Sequence, residues 1–300
     1  MNSEPVNAYN FIYMNRHLKR YLSFYLPRLM LSCFLICILS GIFLTIHYQP
    51  FGNVFRCVEE ITTVIPYGFF FRRLHYISGE LFVILALIHI GDHFLRRTYK
   101  RYPLGEWLSL IISVYISFAI IFMGFILKGD KEGIFAGNIM LNIIKNTPFI
   151  GNVISNLFIR GGEGFFWLPY LHHCFFLPSL LLFLTRKHIR NWLPDRRFLL
   201  YTVLLLFTGA IFFKMPIDIH PDATLSTIKG PWFFLGIQEC LRKMPPLLAG
   251  IGFPLSLFLL ISLIPLTKGH WESFMRYIIL IFIIAYGVLT ILAWQFTEYK

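Results

Sequence analysis

Long apolar runs alternate with short polar and basic stretches along the whole chain. As helices, most of these runs come close to the ~20 residues that cross a hydrocarbon core of about 30 Å. We predict spans at residues 29–48, 67–94, 106–127, 166–185, 198–213, 246–266 and 274–294. The pattern therefore predicts an all-α integral membrane protein with about seven transmembrane helices.

Two further stretches have helical spacing but cannot cross a bilayer. Residues 128–165 lack a long continuous apolar run, which predicts a pair of short helices at the outer interface. At the amino terminus, Arg16, Lys19 and Arg20 are interleaved with Phe and Tyr. We interpret residues 1–28 as an amphipathic segment on the inner surface.

Composition supports this assignment and excludes an ordinary soluble domain. The chain is 57% hydrophobic and only 14% charged. Its net charge of +12 does not indicate nucleic-acid binding, because the basic residues form blocks between apolar runs. The two loops assigned to the inside, 94–107 and 185–197, hold nine Lys or Arg, against four in 128–165. This asymmetry places the amino terminus inside.

The second span carries two histidines, His75 and His89, separated by thirteen mostly apolar residues. Fourteen helical steps fall about 40° short of four turns, so both rings leave one face. The rise between them is about 21 Å, which places them at opposite depths of the membrane. Since imidazoles inside a membrane are costly, the pair indicates function.

The fourth span repeats the pattern with His173 and His188, fifteen residues apart and about 60° past four turns. Two such helices can bring four imidazoles together as two pairs. Haem iron held by two imidazoles fits this arrangement, because the apolar macrocycle suits a bundle interior. A zinc site needs a close tetrahedral cluster, and the near-neighbour pair His89 and His93, four residues apart on one helix, supplies only two of its ligands.

Two interpretations of this pattern remain open. One is an electron conduit with two haems stacked across the bilayer; the other is a haem-free, proton-coupled transporter with a histidine relay. A proton relay needs no matched pairs and favours acids inside the spans. Glu80 is the only acid well inside the histidine-bearing spans. The pattern therefore favours the conduit.

Five motifs in order resemble cytochrome b of the quinol-oxidising cytochrome bc complexes, over roughly residues 30–250. Arg72 stands three residues before His75, like the family's RxxH(x13)H helix. The other matches are SGIFLTIHYQP with TGxFLxxHYxP, MGFILKG with TGYxLPW, TPFIG with PxIG, and STIKGPWFFLGIQECLRKMP with HIKPEWYFLxxxxILRxxP. Two details resemble the chloroplast-type split branch. Fourteen residues lie between His173 and His188, and Pro178 follows His173 by five residues.

The resemblance implies a division of the chain and a ligand set. Residues 29–197 correspond to the dihaem four-helix domain, and 198–300 to a fused three-helix quinone-site domain like subunit IV of the split branch. His75 and His173 would ligate the iron of the outer haem b. His89 and His188 would ligate that of the inner haem b.

Other positions are assigned by the same resemblance. Gly41 and Gly124 match family glycines, where a missing side chain lets a macrocycle edge approach the backbone. Arg72 would pair with a haem propionate. Pro27 stands where the family has a further glycine, which implies looser packing at the inner haem. Tyr25 stands where the split branch has a cysteine, so no covalent third haem is expected.

The outer quinol site departs from the family pattern. The family's PEWY is Gly230-Pro231-Trp232-Phe233 here, so Pro231 and Trp232 match but the proton-accepting glutamate is missing. Glu239 would take over this role as a buried base with a raised pKa. The family's Pro-Trp after the third span is Lys128-Gly129 here.

The resemblance implies the quinol-oxidising subunit of a bc-type complex, with electrons passing from an outer quinol through two haems b to an inner quinone. It also implies a Rieske iron–sulfur protein and a c-type cytochrome as partners, a homodimer, and an energy-transducing membrane such as a bacterial inner membrane. The altered motif leaves an alternative, a dihaem conduit between quinone and another redox subunit without bifurcation.

Overall fold

The computed structural model describes residues 6–224 and 228–296, with side chains from Phe24 to Gln295 outside the gap. Every regular element in these ranges is helical, which confirms the predicted fold class. The α-helices are α1 Val6–His47, α2 Val54–Thr63, α3 Gly68–Leu95, α4 Leu104–Ile126, α5 Lys131–Lys145, α6 Gly151–Phe158, α7 Gly164–Leu171, α8 Leu177–Ile189, α9 Arg196–Phe212, α10 Leu235–Leu241, α11 Phe253–Leu263 and α12 Gly269–Phe296.

Six helical segments in the described part of the chain are long and apolar enough to cross a membrane. They are Phe24–His47, Gly68–Leu95, Leu104–Ile126, Gly164–Trp192, Leu248–Leu266 and Gly269–Gln295. The remaining predicted span is α9, which is helical but has only 17 residues. At about 1.5 Å per residue it is about 26 Å long, the lower limit for crossing. The structure therefore supports six spans where the sequence predicted seven.

At the amino terminus the structure differs from the predicted boundary at residue 28. Helix α1 runs without a break from Val6 to His47 and contains Pro27. The predicted surface segment is therefore continuous with the first span as a backbone helix. The side chains of residues 1–23, on which the amphipathic prediction depends, lie outside the described residues.

The predicted pair of short helices is confirmed as α5 and α6. Asp130 is the N-cap of α5, and its side-chain oxygen accepts a hydrogen bond from the Gly133 N–H at 2.9 Å. The preceding Gly129 has φ +64°, and a Cβ there would lie 2.8 Å from the Phe55 backbone nitrogen. Only glycine fits this turn, which explains one departure from the family motif.

The core of the bundle lies between α1, α4 and α8. Leu31 and Phe34 from α1 pack with Met123 of α4 and Leu181 of α8 in one buried cluster. Helix α9 packs on the opposite side of α1, against α3, through a second cluster that contains Leu206. The bundle thus brings α3 and the α7–α8 segment, which carry the histidines, to one interior.

Hydrogen bonds attach the C-terminal helices to the bundle. On α4, the Trp107 indole donates to the Ile261 carbonyl at 2.9 Å, and the Tyr115 hydroxyl donates to the Pro254 carbonyl at 3.0 Å. The loop after α3 holds α12, since the Tyr99 hydroxyl donates to Glu272 at 2.7 Å. Lys100 forms an ion pair with the same carboxylate at 2.6 Å.

Candidate functional site

His75 on α3 and His173 after α7 form the outer pair, with ring centroids 5.8 Å apart. The Nδ1 of His75 lies 2.9 Å from the Cys37 carbonyl oxygen, and that of His173 lies 2.8 Å from the Ile120 carbonyl oxygen. A carbonyl oxygen can only accept, so each Nδ1 carries the hydrogen. This leaves both Nε2 lone pairs available for a metal.

His89 on α3 and His188 on α8 form the inner pair. Their ring centroids are also 5.8 Å apart, and their Nε2 atoms are 3.5 Å apart. Two imidazole–metal bonds of about 2 Å place such nitrogens about 4 Å apart. The pair therefore needs only a small separation to hold one metal ion between its rings.

A π turn, His172–Phe176, sets the direction of His173. Pro178 has no N–H to donate to the carbonyl of Cys174, four residues earlier, which weakens the regular helix here. A π turn takes up one extra residue. His173 and His188 are fifteen residues apart, but because the π turn takes up one of these residues, the spacing is equivalent to fourteen regular helical steps. Fourteen steps fall about 40° short of four turns, as between His75 and His89 on α3.

An apolar pocket adjoins the inner pair. Besides His89 and His188, its walls include Pro27, Phe34, Phe82, Leu110, Leu181 and Trp192. An apolar space beside two facing imidazoles suits a large, flat, apolar group that carries its own metal. It suits a hydrated ion poorly.

A third imidazole, His93, lies next to the inner pair and was not singled out as a ligand from the sequence. One nitrogen from each of His89, His93 and His188 lies within 4.8 Å of the others. The Nε2 of His93 contacts the Tyr102 hydroxyl at 3.1 Å, whereas its buried Nδ1 has no hydrogen-bond partner. A buried nitrogen without a partner is expected to hydrogen-bond to a polar atom of a group bound in the pocket. Its signal in the sequence was the four-residue spacing from His89.

The three inner histidines qualify the earlier argument against zinc, because packing supplies a cluster that the sequence did not show. Three imidazoles alone can hold a zinc ion. The outer pair, however, belongs to no group of three candidate ligands among the described residues. Two pairs of matched centroid distance favour the same cofactor at both levels.

Gly41 and Gly124 lie directly against the outer imidazoles. A Cβ on Gly41 would lie 2.9 Å from the Cε1 of His75, and one on Gly124 would lie 2.6 Å from the Cε1 of His173. Real Cβ atoms do not approach so closely. The missing side chains make room for the two imidazole rings, and the predicted approach of a macrocycle edge stays a prediction.

Arg72 forms an ion pair with Asp218, at 2.6 Å, and donates to the Thr62 hydroxyl at 3.0 Å. Only 13% and 17% of the two charged side chains are exposed. Lys128 joins this group through Asp218 at 3.7 Å and also pairs with Asp130 at 2.7 Å. The predicted propionate contact stays a prediction, since the arginine here has a protein carboxylate as its partner.

Pro231 and Trp232 begin a 3₁₀ turn, Trp232–Phe234, that packs on α4. Phe234 stacks on Phe122 with centroids 4.7 Å apart. The indole Nε1 of Trp232 donates to the Oε2 of Glu80 at 2.6 Å. The turn thus brings Trp232 to α3 and to the acid inside that span.

Glu239 lies on α10 and forms ion pairs with Arg242 and Lys243, both at 3.2 Å. Burial by itself raises the pKa of Glu239, but the hydrogen bonds and charges of these two side chains outweigh it and hold the pKa below its ordinary value. The expectation of a raised pKa is therefore wrong. A carboxylate stabilised in this way is a weak base.

A family profile described as Cytochrome b/b6/petB matches residues 11–191. Cytochrome b of Mycosarcoma maydis is 25% identical over 313 aligned positions, which cover 89% of this chain and 78% of the relative. Cytochrome b of Candida albicans is 26% identical, with 78% and 70% covered. A solved structure titled Hyperthermophilic respiratory Complex III shares the fold at a TM-score of 0.69 and 21% identity, with 90% and 83% covered. Because the profile spans more than half of the chain, this protein belongs to the cytochrome b/b6 family.

Proposed function

We propose that this chain is the dihaem cytochrome b subunit of a membrane complex that oxidises quinol. Membership of the family implies haem b binding and interaction with quinone. The observation that carries the proposal is the pair of facing imidazoles at each of two levels, both at 5.8 Å. Two sites imply two haems.

In this proposal each histidine pair clamps one iron from its two faces. His75 and His173 hold the outer haem, and His89 and His188 hold the inner one. When bound, haem supplies a one-electron couple in an apolar interior. The chain's own part is to fix the ring directions through the carbonyls of Cys37 and Ile120.

The two levels explain how a single chain would carry electrons across a bilayer. His75 and His89 are fourteen residues apart on one helix, a rise of about 21 Å. Electrons from an outer quinol, oxidised beside Pro231 and Trp232, would pass through the outer haem to the inner haem and an inner quinone. Glu239 remains a predicted participant at the outer site.

The proposed assembly follows the family. A Rieske iron–sulfur protein would take one electron of each quinol, a c-type cytochrome would follow it, and two copies of this chain would form the dimer. We also propose an energy-transducing membrane, such as a bacterial inner membrane, with the amino terminus inside.

The test is spectroscopic and uses the complex in its native membranes. Addition of a short-chain quinol should reduce two b-type haems, seen as two α-bands in reduced-minus-oxidised spectra. A quinone-site inhibitor should block this reduction, whereas dithionite should reduce both haems regardless. Absence of haem bands after mild extraction would reject the proposal and favour the haem-free transporter.

One observation favours a second candidate, a dihaem conduit without bifurcation. Gly230-Pro231-Trp232-Phe233 lacks the family's glutamate. In a conduit, a single quinone site would reduce both haems in series and no high-potential acceptor would be required. If quinol reduces the haems only when an oxidant for the iron–sulfur partner is present, bifurcation is supported. If quinol reduces the haems without that oxidant, the conduit is supported.

A further inference from the structure

We propose that Glu80 is the group that takes a proton from quinol at the outer site, in place of the glutamate missing from Gly230-Pro231-Trp232-Phe233. The inference rests on the proposed function, since it presumes that quinol is oxidised there. The juxtaposition that carries it is the hydrogen bond from Trp232 Nε1 to Glu80 Oε2 at 2.6 Å.

A carboxyl group inside a membrane span is costly and is retained for a reason. Glu80 lies on α3, within the span Gly68–Leu95, and is only partly exposed. Trp232 binds one of its two oxygens, and a carboxylate has a second one that can accept from an incoming hydroxyl. The acid is therefore fixed in direction while still able to take a proton.

The loop that carries Trp232 is held from several sides, so the contact is built into the fold. Gln238 accepts from the Gly230 N–H at 2.8 Å and donates to the Ile228 carbonyl at 2.7 Å. The Tyr286 hydroxyl donates to the carbonyl of Phe233. These contacts place the indole against α3 rather than in lipid.

Glu80 stands five residues after His75, about 140° around the helix and about 7.5 Å along it. It therefore leaves a different face from the ligand ring and takes no part in the ligand set. A quinol bound beside Trp232 would have the Glu80 carboxylate on one side and would lie near the level of His75 and His173.

Polar groups continue from Glu80 toward the end of α4. Tyr76 lies one turn earlier on α3. Glu132 accepts from the Lys128 ammonium at 3.4 Å, and Lys128 pairs with Asp130 at 2.7 Å. The proton would leave the site in the direction of these groups.

The proton balance is simple. Oxidation of one quinol to quinone releases two electrons and two protons. In the proposed step the O–H bond of one quinol hydroxyl breaks and an O–H bond forms on Glu80, while the proton of the other hydroxyl passes to water at the outer surface. The electrons leave for the outer haem iron and for the iron–sulfur partner named in the proposed function.

The test compares Glu80→Gln with the wild-type complex in native membranes. Gln keeps an oxygen that accepts from the Trp232 indole but cannot take up a proton at neutral pH. We expect quinol-driven haem reduction to slow by about 100-fold, a typical loss for a general base. Dithionite-reduced haem content should stay unchanged, and Glu80→Asp should retain an intermediate rate.

Two parallel variants sharpen the result. Glu59→Gln makes the same change at an exposed position on α2 and should leave the rate unchanged. Glu239→Gln tests the acid first expected in this role. A wild-type rate in Glu80→Gln, or a large loss in Glu239→Gln alone, would overturn the inference. Failure of wild-type membranes to reduce haem with quinol would instead reject the proposed function.

A measurement on the unmodified protein covers the case in which Glu80→Gln does not assemble. A hydrophobic carbodiimide reacts with protonated carboxyls inside membranes. We expect it to label Glu80, found by peptide mass, and to abolish quinol oxidation while dithionite still reduces both haems. Full labelling of Glu80 with undiminished quinol oxidation would overturn the inference.

Discussion

His89 and His188 face each other with only 3.5 Å between their Nε2 atoms, although 99 residues separate them in the chain. The distance is slightly below the roughly 4 Å that two bonds to one metal require. The bundle therefore holds these two nitrogens near the separation that one metal ion requires. Such preorganisation reduces the free energy needed to order the site when the cofactor binds.

Replacement of one histidine should remove one haem and leave the other. His89→Ala takes away one of the two proposed ligands of the inner haem, while the outer rings keep their bonds to Cys37 and Ile120. We expect haem content per chain to fall from two to about one, since each site depends on its own axial pair. Pyridine haemochrome assay and difference spectra measure this.

The control for that prediction is His172→Ala, beside His173 in the π turn. Its ring packs against Phe158 and Phe176, with centroids 4.6 and 5.6 Å away, and lies in neither histidine pair. Both haems should remain. Loss of a haem here, or two haems in His89→Ala, would show that the ligands are assigned incorrectly.

Gly124→Ala should disrupt the outer site. The new methyl carbon would lie 2.6 Å from the Cε1 of His173, so the ring must move away from its partner. We expect loss of the outer haem band, or a clear shift of it, measured in difference spectra. Gly105→Ala on the same helix meets nothing within 4 Å and should keep both bands.

Arg72→Gln should destabilise the protein more than a matched change at the surface. The variant leaves Asp218 without its partner at 2.6 Å, in a pair whose side chains are 13% and 17% exposed. Removing one member of such a pair costs about 3 kcal/mol. Arg56→Gln breaks a pair that is 73% and 54% exposed, which costs about 0.5 kcal/mol.

The measurement is the midpoint of thermal loss of the haem spectrum in detergent. A large drop for Arg72→Gln and a small one for Arg56→Gln is the expected order. Equal midpoints would mean that the Lys128 ammonium, 3.7 Å from Asp218, compensates for the missing guanidinium.

Alkaline pH should weaken the attachment of α12. Burial, and next the hydrogen bond to Glu272, raise the pKa of Tyr99 to about 12. In the unfolded chain it titrates near its ordinary value of about 10. The neutral tyrosine therefore stabilises the fold fully below pH ~10, and this contribution is lost as the pH rises toward the folded value.

Tyr99→Phe serves as the comparison, because it removes the titrating hydroxyl. The stability difference between wild type and Tyr99→Phe should be largest at pH 8 and shrink between pH ~10 and ~12. Thermal midpoints across that range measure it. A difference that grows with pH would contradict the assigned direction.

The periodicity of apolar residues determined most of the fold. All seven apolar runs are helical, and the short helices α5 and α6 are where the spacing predicted them. The spacing of His75 and His89 also fixed their common face, because both lie on one regular helix. These features depend on neighbours in sequence, which is why the sequence alone determined them.

Helix ends and irregular turns were harder to predict from the sequence. α9, at 17 residues, is shorter than the six segments assigned as spans. The π turn His172–Phe176 was not predicted, although Pro178 signals a missing hydrogen bond there. Such features depend on small differences in backbone hydrogen bonding that a hydrophobic pattern does not record.

Tertiary structure alone decided which groups meet. It placed His188 against His89 and His93, and it set Glu80 beside Trp232, 152 positions away. Contacts between distant helices depend on how side-chain surfaces interdigitate, and no local pattern specifies this. The sequence determined the imidazoles and their depth in the membrane; packing decided their partners and the surroundings of each acid.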